Sequence, residues 1–79
     1  MNYMALHPID LAERLHRRHW IVAASGRNRS GRTVVRIEQG GFSAAMFADD
    51  AAELIDGAAT LEEILERNKS ADLAIGWPA

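Results

Sequence analysis

The stretch at residues 33–47, TVVRIEQGGFSAAMF, decides the fold. Within residues 33–38, Thr33, Val35 and Ile37 are expected to face one way and the charged Arg36 and Glu38 the other, which predicts a strand with one buried face. Residues 42–47 predict a further strand, and only Gly40 and Gly41 separate the two. Because two-residue glycine turns join adjacent antiparallel strands, this stretch predicts a β-hairpin.

Upstream of this hairpin, the sequence predicts a helix, a strand and a loop. Pro8 suits the first turn of a helix, and apolar residues at helical spacing extend that helix to about Arg18. Residues 20–25 begin with aromatic and β-branched side chains and predict a strand. The stretch at residues 26–32, GRNRSGR, predicts a solvated hairpin tip, with a finger that grips phosphate as the second interpretation.

Two short helices are expected after the hairpin. Asp49 or Asp50 is expected to cap the first helix, with Glu53 as the capping-box partner. Gly57 either ends this helix or weakens it. Residues 60–63, TLEE, form a second capping box, which opens a third helix. The side chains expected on the buried side of the third helix are Leu61, Ile64 and Leu65.

The order of these elements predicts the fold class. Residues 70–79 carry apolar side chains at alternating positions and are expected to add an edge strand or to lie as a clasp over the core. The element order is α-β-β-β-α-α, which predicts a two-layer α+β fold with helices covering a three-stranded antiparallel meander. The chain, residues 1–79, is expected to form one small domain.

The composition excludes several classes of protein. The 79 residues include no cysteine, which excludes disulfide bonds and thiolate metal sites. No apolar run approaches the length of a membrane span, and residues 1–10 lack the basic flank and apolar core of a secretory signal. We therefore expect a soluble protein of the cytoplasm.

Charge is distributed unevenly along the chain. Residues 1–39 carry seven arginines and three acidic residues, whereas residues 40–79 carry eight acidic residues with one arginine and one lysine. This asymmetry indicates a charged partner, or two halves that neutralise each other across the fold. The candidate partner-binding residues are Asp49, Asp50, Glu53, Asp56, Glu62, Glu63 and Glu66 on the two C-terminal helices, and Arg27, Arg29 and Arg32 at the hairpin tip. For the acidic set, a solvated helix face is the alternative interpretation.

No catalytic, cofactor or metal motif is recognisable. His16 and His19 have a spacing found in metal sites, but Glu13 is the only further ligand nearby, and His7 precedes the helix. The histidines are therefore expected to border the helix–sheet interface. The serines lack a nucleophile elbow, and GRNRSGR lacks the lysine and the following helix of a P-loop. We expect no enzyme activity, no cofactor and no metal.

The element order over residues 8–58 resembles the double-stranded-RNA-binding domain. In that family the first helix, the first hairpin loop and the start of the last helix contact RNA. The resemblance implies a small RNA- or DNA-binding module in which the arginines of residues 26–32 and of the first helix meet phosphates together. The family places lysines at the start of its last helix, where this chain has Asp49 and Asp50.

Residues 9–67 also resemble the layout of small phage-encoded anti-CRISPR proteins in size, element order and charge placement. The stretches that carry the resemblance are IDLAERLHRRHWIVAASG, TVVRIEQGGFSAAMF and DDAAELIDGAATLEEILER. It implies a stoichiometric inhibitor that occupies a basic surface of a Cas effector complex, as a nucleic-acid mimic or through a mixed-charge interface. Trp77 or Phe47 would serve as apolar anchors if exposed.

Three hypotheses follow for the function. The first is a non-enzymatic, phage-encoded inhibitor that binds a Cas effector subunit in the cytoplasm of the host bacterium. The second is the small RNA- or DNA-binding module. The third is a homodimeric structural protein whose tail strand pairs between two chains.

Overall fold

A computed structural model describes residues 8–78 and shows an α+β fold. The elements are α1 (Pro8–Arg17), β1 (Ile21–Arg27), β2 (Thr33–Gln39), β3 (Phe42–Phe47), α2 (Ala48–Asp56), α3 (Leu61–Arg67) and β4 (Trp77–Pro78). The first three strands form an antiparallel meander, and β4 joins it beside β1, so the sheet order is β3-β2-β1-β4. The predicted order α-β-β-β-α-α is therefore confirmed.

The hairpin of β2 and β3 has a regular register. Gln39 lies opposite Phe42, and the pairing continues without interruption to Val34 opposite Phe47. Gly40 and Gly41 have φ angles of 56° and 87°. Because two successive positive φ angles define the turn that matches the twist of a two-residue hairpin, glycine is required at both positions.

The hairpin of β1 and β2 contains a β-bulge. Ile21 lies opposite Glu38, but the register shifts between Val22 and Ala24 and leaves Ala23 as the extra residue. A bulge bends the strand and interrupts the ladder at its edge.

The core lies between the helices and one face of the sheet. α1 packs against β1 and α2, and α2 packs against β2 and β3. The largest fully buried side chains in this cluster are Leu15, Ile37, Met46 and Ile64. Each contributes about 2 kcal/mol of hydrophobic stabilisation. On the opposite face of the sheet Val34 and Phe47 are buried as well, whereas Arg36, Glu38 and Ser43 are exposed.

α1 and α2 end in the same backbone motif. In α1, the Trp20 N–H donates to the Leu15 carbonyl at 2.9 Å, and His19 has a φ of 66°. α2 ends likewise at Gly57, whose φ is 75°. This left-handed turn satisfies carbonyls at a helix end and is usually built on glycine.

The expected cap of α2 is wrong. Phe47 is the N-cap, and no side chain caps this helix, while Asp49 and Asp50 lie within its first turn. The physical reason is that β3 passes directly into α2, which leaves no loop residue to serve as a cap. Asp50 instead makes tertiary contacts, described below.

The capping box of α3 is confirmed. The Glu63 N–H donates to Thr60 Oγ1 at 3.2 Å, and the Thr60 N–H donates to Glu63 Oε1 at 3.0 Å. The burial expected for Leu65 is wrong, since this side chain is 42% exposed. α3 has only seven residues, and Ile64 is its buried residue.

The tail returns to the sheet. Its end forms β4, where Trp77 lies opposite Arg27 and Pro78 opposite Gly26. The Gly76 N–H donates to the Arg27 carbonyl at 2.9 Å, which extends the pairing by one residue. Within the described residues, none of the helices has the length and hydropathy required to cross a membrane.

Candidate functional site

The arginine-rich loop between β1 and β2 is a turn ordered by Asn28. The side chain of Asn28 is buried, and its Oδ1 accepts hydrogen bonds from the N–H groups of Ser30 and Arg32, both at 3.0 Å. Its Nδ2 donates to the Asp72 carbonyl at 2.8 Å. Gly31 supplies the positive φ of 83° within the turn. The bonds to Ser30 and Arg32 order the loop, and the bond to Asp72 fixes it to the tail.

Arg32 is bound within its own chain. Its guanidinium lies 3.5 Å from the centroid of the Phe47 ring and 3.4 Å from Asp49 Oδ1. Stacking and ion pairing together hold this side chain against β3 and the first turn of α2. Phe47 is only 5% exposed beneath it, so Phe47 is not the apolar anchor considered from the sequence. The side chain of Trp77 lies outside the described part of the structure.

The other two arginines of this loop are exposed, and Arg32 itself remains half exposed. The Arg29 side chain is 87% exposed, and its Nε lies 3.4 Å from Asp72 Oδ2. Such an exposed pair contributes little free energy, so Arg29 exchanges readily with other anions. Arg27 is exposed at the end of β1.

The acidic residues at the start of α2 join this helix to α3. Arg67 Nη1 donates to Asp50 Oδ1 at 2.9 Å and to Glu53 Oε2 at 2.7 Å. The Asn68 side chain donates to the second oxygen of Asp50 at 2.7 Å. The hydrogen bond to Glu53, with the charges of Glu53 and Asp50, raises the pKa of Arg67. Asp50 is buried by these contacts, so it cannot meet a partner.

Asp56, at the other end of α2, is bound to α1. Its Oδ1 accepts from the Arg14 guanidinium, and its Oδ2 is buried without a hydrogen-bond partner in the described structure. Beside this pair lies an open cleft of about 280 Å³, lined by Arg14, Arg17, Arg18, Ile55 and Asp56. Arg17 and Arg18 are exposed there, at the C-terminal end of a helix, where cations are favoured.

The acidic residues of α3 are the exposed part of the acidic set. Glu62 and Glu66 are exposed on one face with Leu65 beside them, and we call these three residues the α3 outer face. Lys69 approaches Glu66 only to 3.9 Å, and both side chains are more than 70% exposed. Glu63 belongs to the capping box, and the backbone hydrogen bond from Thr60 lowers its pKa.

The two charged sets do not occupy fully separate surfaces. Tertiary packing brings Arg32 into contact with Asp49 and Arg14 into contact with Asp56, so the two halves of the sequence partly neutralise each other there. The arginines of the first helix and of the hairpin loop also lie at opposite ends of β1, a strand of seven residues or roughly 23 Å. They therefore do not form one phosphate-binding surface.

The described residues hold no group of three or more histidine, cysteine, aspartate or glutamate side chains placed to bind a metal. His16 and His19 are exposed rather than packed at the border of the sheet, and His7 lies outside the described residues.

Comparison of the chain with protein-family models, with curated proteins and with solved structures found no match.

Asn28 and Arg67 organise the structure, and neither role was predicted from the sequence. A local signal existed for Asn28, because an asparagine two residues before a serine–glycine pair is typical of a turn. No sequence signal exists for Arg67, since its partner Asp50 is 17 positions away and only tertiary packing joins them.

Proposed function

We propose that this protein is a non-enzymatic inhibitor that binds a basic surface of a nucleic-acid-processing complex through the α3 outer face. The observation that carries the proposal is the exposure of Glu62 and Glu66 on either side of a 42% exposed Leu65. Four other candidate acids, Asp49, Asp50, Glu53 and Asp56, already have partners within the chain.

The chemistry of this face suits a cationic partner. Solvated carboxylates that are unpaired or only loosely paired steer a basic surface into contact, which raises the association rate. An exposed leucine among them fills an apolar pocket on the partner and slows dissociation.

The resemblance to anti-CRISPR proteins makes a Cas effector subunit the first partner to test. The protein would then act in the cytoplasm of a bacterial host of the phage that encodes it. The alternative of a nucleic-acid-binding module has weaker support, because Arg32 is stacked on Phe47 and the two arginine groups lie apart.

The test uses purified Cas effector complexes of several types, captured on the immobilised protein at low salt. We expect one type to be retained and its DNA binding to be blocked at equimolar inhibitor. Glu62→Lys and Leu65→Ala should each weaken binding by about tenfold, the loss expected for one contact of roughly 1.4 kcal/mol.

Glu13→Lys is the matched control, because it makes the same charge change at an exposed position of α1. Its affinity should equal that of the unmodified protein. Retention of no effector type, or equal losses in Glu62→Lys and Glu13→Lys, would remove the proposal.

A further inference from the structure

The sheet has two edges, and they differ in how they are protected. At β1, the strand β4 pairs with Gly26 and Arg27, and the bulge between Val22 and Ala24 interrupts the remainder of the edge. Covering strands and bulges are means by which native sheets avoid pairing with another chain. At the other edge, no strand of residues 8–78 pairs with the outer side of β3.

β3 lacks these protective features. Its sequence, FSAAMF, contains no charge and no proline, and its register with β2 is regular. Because Gln39 and Phe42 close a two-residue turn, Phe42 and Ala44 direct their backbone groups toward β2. Ser43 and Ala45 therefore direct their N–H and C=O groups away from the sheet, where they form a template for another strand.

We propose that a second copy of this chain pairs with β3, so that two subunits form one continuous antiparallel sheet about a two-fold axis at Ala44. Identical antiparallel strands are self-complementary, as a two-fold interface requires. In this register Ser43 lies opposite the partner subunit's Ala45, and each such pair exchanges two backbone hydrogen bonds. The tail strand is not needed for this dimer, since β4 pairs within its own chain.

The charges on the exposed sheet face select this register. Arg36 lies beside Ala45 and Glu38 lies beside Ser43 on the neighbouring strand, and both charged side chains are exposed. With the axis at Ala44, Arg36 lies in one row with the partner subunit's Glu38. An axis at Ser43 would align two glutamates, and an axis at Ala45 would align two arginines.

The charged side chains can meet across the small residues between them. The two β2 strands of the dimer lie three strand spacings apart, about 14 Å. Extended arginine and glutamate side chains span most of that distance, and serine and alanine are too short to obstruct them. Neither Arg36 nor Glu38 has an ion-pair partner among the described residues of its own chain.

The first experiment measures dimerisation of the full chain by sedimentation equilibrium over about a hundredfold range of concentration. We expect a reversible dimer. Arg36→Glu and Glu38→Arg should each weaken it by about tenfold, because each replaces two attractive contacts with two repulsive ones. The double variant Arg36→Glu/Glu38→Arg should restore it, since the swapped charges are again complementary in the same register.

The second experiment uses the absence of cysteine from the chain. In the proposed dimer the two Ala44 Cα atoms form a non-hydrogen-bonded pair about 4.5 Å apart, so Ala44→Cys should form an intersubunit disulfide under mild oxidation. Ala45→Cys is the control, because its Cα lies roughly 9 Å from the partner subunit's Ala45 Cα, too far for a disulfide.

Four results would overturn the proposal. A monomer at every concentration would exclude the dimer. A dimer that the double variant fails to restore would show that the charges of β2 do not face each other. Equal cross-linking of Ala44→Cys and Ala45→Cys would place the two-fold axis elsewhere. A monomer whose β3 amides become protected only when an effector complex is added would assign this edge to that protein instead.

Discussion

His19 occupies a backbone conformation that usually belongs to glycine. Its φ of 66° lies in the left-handed region, which costs an L-residue about 1 kcal/mol. The conformation persists because the turn satisfies carbonyls at the end of α1 and because the Gln39 side chain donates to the Arg18 carbonyl at 3.1 Å. The first helix therefore ends under local strain, whereas α2 ends without strain at Gly57.

Replacing His19 by glycine should relieve this strain. We expect His19→Gly to raise the free energy of unfolding by about 0.5–1 kcal/mol in urea denaturation. Gly57→Ala, at the equivalent position of α2, should lower it by about 1 kcal/mol. No atom lies within 4 Å of a Cβ added at Gly57, so the loss would come from the backbone alone. A His19→Gly variant that is less stable than the unmodified protein would contradict this account.

At the scale of the element, α3 is a helix of seven residues that relies on its capping box. A helix this short is marginal in isolation, so satisfied N–H groups at its start matter more than in a long helix. Glu63 closes the box as a carboxylate, and the backbone hydrogen bond from Thr60 lowers its pKa from the usual 4.5. Protonation of Glu63 should therefore weaken α3.

The lowered pKa sets the direction of a pH effect. Since the carboxylate binds fewer protons in the folded state, its stabilising contribution is present above pH 4.5 and is lost as the pH falls through the folded-state pKa. Glu63→Gln keeps a side chain that can close the capping box but cannot titrate. As the pH is lowered, its free energy of unfolding should therefore fall less steeply than that of the unmodified protein.

Urea denaturation between pH 7 and pH 3 measures this difference. Glu62→Gln is the matched control, because it removes one charge from the same turn and leaves Thr60 and Glu63 in contact. An acid dependence of Glu63→Gln as steep as that of the unmodified protein would contradict the prediction.

The sequence predicted the elements better than their contacts. The alternation of residues 35–38 and the Gly40–Gly41 turn are local signals, and the structure confirms them. Val34 departs from the pattern, because it is buried on the same face as the exposed Arg36 and Glu38. Leu65 was misplaced because helical spacing alone cannot show how much of a short helix the core can cover. The role of Asp50 was missed because a carboxylate near a helix start has the same local pattern whether it caps or binds a distant arginine.

At the scale of the whole molecule, the two halves of the sequence partly neutralise each other. The pairs that cross between residues 1–39 and 40–79 are Arg14 with Asp56, Arg29 with Asp72, and Arg32 with Asp49. This is one of the two outcomes that the charge asymmetry allowed. The sequence could not decide between them, because ion pairs between positions so far apart depend on tertiary packing.

Asn28 connects the hairpin loop to the tail and so affects the whole molecule. Asn28→Ala should lower the free energy of unfolding by about 2 kcal/mol, because it leaves the Ser30 N–H and the Asp72 carbonyl without their partner. It should also increase hydrogen exchange at Gly76, whose N–H bonds to the Arg27 carbonyl.

Denaturation and amide exchange measure the two effects separately. Arg29→Ala is the control, since it alters the adjacent exposed residue and should change stability by less than about 0.5 kcal/mol. Unchanged exchange at Gly76 in Asn28→Ala would show that the tail does not depend on this side chain.

The direct passage from β3 into α2 limits how the length of this chain can vary. One inserted residue at positions 46–49 would turn the helix by about 100° and move Ala51, Ala52 and Ile55 out of the core. Residues 57–60 and 68–76 are turns and loops, so a residue inserted between their contacts at Thr60, Asn68, Asp72 and Gly76 does not rotate a helix against the core. Natural variants of different length should therefore carry their insertions and deletions in those two segments and keep the strand-to-helix junction at constant length.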